Sequence, residues 1–216
     1  MISEKIKIGY FADGPWSHNG LEMIIEDQNI EIKFICARYK NPDNILRNKA
    51  KCLGVDFITA ADVNNKDFIL KVSRYQCDLF VSMSFDQIMK KSLFSLPDLG
   101  TINCHAGKLP SYRGRNILNW VLINDEREFG ITVHYIDEGI DTGDIICQET
   151  FPINDSDTYS SLLKKAYLEC PKLLLKSIKK IYNRNVKPIP QDKKSKFAFY
   201  CTKRIIGDEV INWNQP

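Results

Sequence analysis

Several kinds of feature are missing from this chain. No apolar run approaches the roughly 20 residues that a helix needs to cross a bilayer, so the sequence carries no membrane-span signal. The opening MISEKIKIGYF interleaves charge with apolar residues, which excludes a secretory h-region. The seven cysteines (36, 52, 77, 104, 147, 170, 201) are odd in number and form no C-x-x-C pair. Without an export signal they read as reduced thiols, and the expected compartment is the cytoplasm. No G-x-G-x-x-G follows the first strand-like run, which argues against a dinucleotide cofactor. There is no internal repeat and no low-complexity linker, so one compact domain is the default.

What is present is an ordinary globular composition of 216 residues, 44% hydrophobic and 26% charged. Net charge is only +3 but uneven: positions 164–204 hold thirteen Lys/Arg against Glu169 and Asp192 alone. Such a run can face a phosphate-bearing partner or form a solvated helix face, and no aromatic interleaving or nucleic-acid module favours the former.

Strand-like runs alternate with helical patterns, the mark of an α/β protein with a mostly parallel sheet flanked by helices. Strands are expected at 5–11, 30–38, 55–58, 77–84 and 100–106. Helices are expected near 21–27, 42–54, 65–75 and 87–96. Gly54 supplies a helix stop. Residues 129–151 alternate like two antiparallel strands joined through DEGIDTG. A long helix follows from the capping residues of DSDTYSS, with Pro171 expected to kink or divide it. The expected division is a domain over 1–183 and a short extension over 184–216.

Two segments carry chemistry. In LGTINCHAGKLPSYRGRNILNW (99–120), the period of a strand puts Asn103 and His105 on one face and Ile102 and Cys104 on the other. An amide donor beside an imidazole, at the carboxyl end of a sheet strand, suits a reaction that builds negative charge on oxygen and moves a proton. The acidic turn DEGIDTGD (137–144) could bring Asp141 to that imidazole from a neighbouring strand end. A bare N-x-H is equally a structural pattern, and an Asp/Gly-rich hairpin with exposed acids would look the same.

Taken together, Asn103-Cys104-His105, KLPSYRG (108–114) and DEGIDTG (137–143) resemble the N10-formyltetrahydrofolate-dependent formyltransferases, strongly over about residues 78–151. The resemblance implies a Rossmann-like fold, N10-formyltetrahydrofolate as co-substrate, no metal, and an Asn103–His105–Asp141 catalytic triad. It places the pterin loop at SMSFDQIM (82–89), with Met83, Phe85 and Ile88 joined by Asp137 and Asp141 around the ring. The AGKLPSYRGRNILNW run is most similar to enzymes that formylate dTDP-linked 3- or 4-amino-dideoxysugars for bacterial surface glycans, the O-antigen of lipopolysaccharide among them. On that branch the acceptor is a nucleotide sugar, not a nucleic acid or membrane, and Trp16, Lys108, Arg113, Arg115 and Tyr200 are the substrate-contact candidates. The tRNA-directed relatives carry a further β-barrel domain, for which a sequence ending at Pro216 has no room. GDEVINWNQP (207–216) matches a segment that normally leads into another helix, so a truncated chain is as compatible as a short one. A homodimer is the assembly that the resemblance implies. The competing readings are a formyl-folate hydrolase and a folate- or nucleotide-sugar-binding protein without turnover. His134, mid-strand in ITVHYID, reads as a satisfied structural histidine.

Overall fold

The computed structural model describes residues 5–192, 198–208 and 210. The first half alternates strand and helix: β1 (Ile6–Ala12), α1 (Gly14–Ile25), β2 (Ile30–Ala37), α2 (Asn44–Leu53), β3 (Asp56–Thr59), α3 (Lys66–Ser73) and β4 (Leu79–Met83). Then come α4 (Lys91–Phe94), β5 (Thr101–His105), β6 (Arg113–Gly114), α5 (Ile117–Ile123), β7 (Glu128–Tyr135), β8 (Ile145–Pro152), α6 (Tyr159–Tyr182) and β9 (Tyr200–Cys201). Seven strands form one sheet in the order β3-β2-β1-β4-β5-β7-β8. Its first five members run parallel, and β7 and β8 are antiparallel to their neighbours. This is the expected α/β layout, with the antiparallel pair where the alternation of 129–151 put it.

Two buried layers flank the sheet. On one face, α1 and α6 cover residues such as Ile8, Tyr10, Val81 and Val133. On the other lies an aromatic cluster in which the Phe11 ring meets Phe34, Phe80 and Phe85 edge-on at 5.5, 5.1 and 5.5 Å. Edge-to-face geometry suits the ring quadrupoles. A Cβ on Gly9 would stand 2.5 Å from the Phe34 ring, so glycine lets this cluster seat against β1.

Local chemistry explains the boundaries. Asp43 caps α2 through Ile45 N and Leu46 N, and Gly54 ends it at φ 67°, a left-handed turn that favours glycine. The helix expected over 87–96 shrinks to the four residues of α4. Gln87 there accepts from Val63 N at 3.0 Å and donates to Ala60 O at 2.8 Å, and Lys90 N donates to Asn64 Oδ1 at 2.7 Å. These tertiary bonds hold 84–90 as a loop.

Pro171 does not divide α6, which runs unbroken over 24 residues. Proline removes the bond to the carbonyl four residues back. That carbonyl, Tyr167 O, accepts instead from Asn19 Nδ2 of α1 at 3.3 Å. After α6 the chain returns to the sheet: Ile189 bridges Ile145, and β9 pairs with β6 in a small second sheet. Of the terminal GDEVINWNQP stretch, residues 209 and 211–216 lie outside the described residues, and so does the expectation attached to them. Among the described residues no helix is long and apolar enough to cross a membrane.

Candidate active site

At the carboxyl ends of the parallel strands opens a cavity of about 590 Å³, lined by residues of β5, β7, the 84–89 loop and the 137–141 turn. Such strand ends are the usual ligand edge of an open α/β sheet.

Asn103 and His105 face this cavity from β5, while Cys104 turns away and its thiol donates to Cys170 O of α6 at 3.6 Å. The two halves of the expected constellation do meet. His105 is buried, and its Nε2–H donates to Tyr112 O at 2.7 Å. Because a carbonyl only accepts, Nε2 carries the proton and Nδ1 presents the lone pair. That nitrogen lies 3.7 Å from Asp141 Oδ2, a charge contact longer than a hydrogen bond. The ring is crowded into place, since a Cβ on Gly107 would come within 2.4 Å of both Nε2 and Tyr112 O.

Asp141 sits in the turn after β7 at φ 52°. Burial alone pushes its carboxyl upward. The opposing charge of His105, the contact with His134 and the Gly114 N–H outweigh it and hold the group well below the usual carboxylate range. Gly114 N donates to Oδ2 at 2.9 Å. Asp137 braces the same turn by accepting from Gly139 N at 3.0 Å and from the Thr142 hydroxyl.

His134, read from the sequence as a satisfied structural histidine, is buried and hydrogen-bonded, and it also stands in this cluster. It pairs with Asn103 across the β5–β7 ladder and lines the cavity. Its Nδ1–H donates to Tyr135 O at 2.8 Å, which aims Nε2 at Asn103 Nδ2 and at Asp141 Oδ1, both 3.4 Å away. The signal that could have found it is parity: Thr132 opposes His105 and His134 opposes Asn103 on one face. Reading that required knowing that β7 borders β5.

The remaining candidates divide. Trp16, Phe85, Ile88, Arg115 and Asp137 line the cavity. Four others do not line it. Met83 is 1% exposed and packs against α1, with the Tyr10 hydroxyl 3.6 Å from its sulfur. Lys108 pairs with Glu128 on the surface. Arg113 is fully buried, and its guanidinium donates to Asp141 O at 3.2 Å, Gln191 Oε1 at 2.9 Å and the Tyr200 hydroxyl at 3.4 Å. Tyr200 is occupied by that contact, with the Arg113 guanidinium 5.5 Å from its ring centre. Sequence reasoning missed two further cations at the rim, Lys203 and Arg38, the latter paired with buried Asp13. Neither stands in a motif.

An amide, two imidazoles and an ionised carboxylate around one cavity can stabilise an oxyanion and relay a proton. The formyl transferase family model matches residues 24–178. The methionyl-tRNA formyltransferase of Alkaliphilus oremlandii is 30% identical over 219 residues, which cover 97% of this chain and 69% of that protein. The bifunctional polymyxin resistance protein ArnA of Wigglesworthia glossinidia brevipalpis is 35% identical over 154 residues, 71% of this chain and 23% of its own length. The chain spans about half the length of most curated relatives it matches, 51% and 48% in the enzymes of Thermodesulfovibrio yellowstonii and Clostridium botulinum. Among solved structures, WlaRD, a sugar 3N-formyl transferase crystallised with dTDP and 5-N-formyl-THF, superposes with TM-score 0.69 at 26% identity over 93% of this chain and 70% of its own. An N-formyltransferase from Helicobacter canadensis in complex with folinic acid and dTDP-3-aminofucose gives 0.68 at 26% over 92% and 70%. With a family model over most of its length and a relative aligned nearly end to end, the chain belongs to the formyl transferase family.

Proposed function

We propose that the protein transfers the formyl group of N10-formyltetrahydrofolate to the amine of a dTDP-linked amino-dideoxysugar destined for a bacterial surface glycan. The observation that carries the reading is the convergence of Asn103, His105 and Asp141 on one cavity, with His105 Nδ1 3.7 Å from Asp141. The acceptor class is supported by the cavity's cations. Arg115 and Lys203 line it, and among the described residues neither has an acidic partner, as suits a diphosphate. It is supported too by the dTDP and dTDP-3-aminofucose of the two sugar-enzyme structures.

The chemistry follows from the donors. The acceptor amine attacks the formyl carbon, and Asn103 donates its second N–H to the oxygen on which charge develops, its first being directed at His134. His105 Nδ1 takes the amine proton, and Asp141 steadies the imidazolium. The proton passes to the departing folate nitrogen as the carbon–N10 bond breaks, so no enzyme-bound acyl group is needed. Phe85 and Ile88 offer the apolar wall, and Asp137 a polar group, for a flat aminated ring.

The test mixes the protein with formyl-folate and a panel of dTDP- and UDP-amino sugars, following folate absorbance and product mass. Formylated sugar is the expected result. Formate release without acceptor would make the protein a hydrolase, and no turnover with any acceptor would make it a binding protein. The names of the curated relatives favour one second reading, a methionyl-tRNA acceptor. Charged tRNA is therefore included in the panel, and its formylation in preference to sugars would overturn the proposal.

A further inference from the structure

We propose that Arg113 and Gln191 are positioning residues for Asp141, forming a buried latch that ties the returning C-terminal segment to the catalytic turn. Asp141 is a non-glycine residue at φ 52°, a left-handed conformation that aspartate adopts where hydrogen bonds hold it. Three contacts dictate it here. Arg113 Nε donates to Asp141 O at 3.2 Å, and Gln191 Nε2 donates to the same carbonyl at 3.1 Å and to Gly143 O at 2.6 Å. Arg113 Nη2 closes the triangle on Gln191 Oε1 at 2.9 Å. Both side chains are buried, at 0% and 8% exposure.

The dipeptide Arg113–Gly114 thus grips Asp141 at both ends. The arginine side chain holds its carbonyl, and the glycine N–H holds its carboxylate at 2.9 Å. That dipeptide is fixed in turn by β9, through Arg113 N to Phe199 O at 2.9 Å and Arg115 N to Cys201 O at 3.0 Å. The approach is too close for any side chain at Gly114, where a Cβ would sit 2.4 Å from Cys201 O at φ 96°. A guanidinium with no external access, spent on uncharged acceptors, is an expensive brace for an ordinary loop. Its position is accounted for by what it aims: the Asp141 oxygens that face His105 and His134 at 3.7 and 3.4 Å.

The rate readout of the test rests on the formyl-transfer reading, so a second readout is kept independent of it. Gln191→Leu, Arg113→Lys and Arg113→Met are compared with wild type for melting temperature, formyl-folate turnover and the side-chain NMR signals of ¹⁵N-histidine-labelled protein. In Gln191→Leu the expected result is a fall in kcat of about tenfold or more, the scale of a small misplacement of a catalytic group, with KM for formyl-folate within about threefold. The His105 and His134 imidazole signals move with it. Arg113→Lys, which keeps one donor, retains more turnover than Arg113→Met. If Arg113→Met fails to fold, Gln191→Leu and Arg113→Lys still decide the matter. Folded variants whose imidazole signals coincide with wild type overturn the latch, as does a loss of rate that only tracks melting temperature. Absence of formyl-folate turnover in wild type would sink the functional reading instead, leaving the imidazole signals to judge the latch.

Discussion

His105 has one nitrogen committed to a backbone carbonyl and the other facing a carboxylate 3.7 Å away, an arrangement suited to taking and returning a proton. His105→Ala is expected to lower kcat by about a hundredfold or more, as loss of a general base or oxyanion partner does. Folate release at saturating substrate measures it, and near-wild-type turnover would take the imidazole out of the mechanism. Asp141 yields a prediction about stability. Its carboxyl is held well below its ordinary value, with burial opposed and outweighed by the imidazoles and Gly114 N–H. A carboxyl ionised more readily in the folded chain contributes stability above its unfolded value, about 3.9, and that contribution is lost as pH falls toward the folded value. Asp141→Asn should therefore cost about 2 kcal/mol at pH 7, the scale of a lost charge-assisted hydrogen bond. The gap from wild type should begin to narrow only below about pH 4 and keep narrowing as pH falls past about 3 in urea unfolding, and a gap independent of pH would contradict this account. At this scale the three motif residues were legible in the sequence because each stands in a recognisable short pattern. His134 was not, since a mid-strand histidine acquires meaning only from the strand beside it, and Arg113 showed its charge but not its burial.

Strands could be read from the sequence because periodicity is a local property, and every strand of the main sheet falls within a few residues of its expected place. Helices fared less evenly: α1 opens at Gly14, seven residues before the expected 21–27, in a stretch read as a turn, and the short α5 was not expected. Other misses were set by distant partners. The two-residue strands β6 and β9 are defined only by each other, 87 positions apart between Arg113 and Tyr200. The loop at 84–90 has helical spacing but answers to Asn64 and the Ala60 carbonyl. Helix α6 makes the same point in the opposite sense. Pro171 signals a break locally, yet the carbonyl it leaves unpaired is supplied by Asn19 of α1. A buried carbonyl left without a donor costs about 1–3 kcal/mol. Asn19→Ala is accordingly expected to lower the unfolding free energy by about 1–2 kcal/mol by denaturant titration. Pairing it with Pro171→Ala, which restores the helix's own N–H to that carbonyl, should shrink the Asn19→Ala effect, and strict additivity of the two substitutions would refute the link.

Across the whole molecule, charge is distributed in a way the linear sequence misrepresents. The basic stretch at 164–204 is partly answered by acids from other elements or turns: Lys176 by Glu149, Lys179 by Asp27 and Lys172 by Glu169. Those pairs favour a solvated helix face over a phosphate-binding track. The cavity rim carries two cations of its own, Arg115 from the loop after β6 and Lys203 from the chain after β9. The Arg115 backbone is pinned by its N–H on Cys201 O at 3.0 Å, and Arg204 N is pinned on Asn116 Oδ1 at 3.0 Å, so the two segments hold their charges side by side. One charge-assisted phosphate contact contributes about 1.5–3 kcal/mol, so Arg115→Ala should raise KM for a dTDP-amino sugar by about tenfold or more. Because the side chain is exposed and contacts no member of the triad, kcat should fall far less. The same substitution should flatten the rise of acceptor KM with salt, since one fewer screened attraction is at stake. Steady-state kinetics at 50 and 500 mM salt separate the outcomes. An acceptor KM that ignores both the substitution and the salt would mean that the anion binds elsewhere, and that the rim cations serve only the fold.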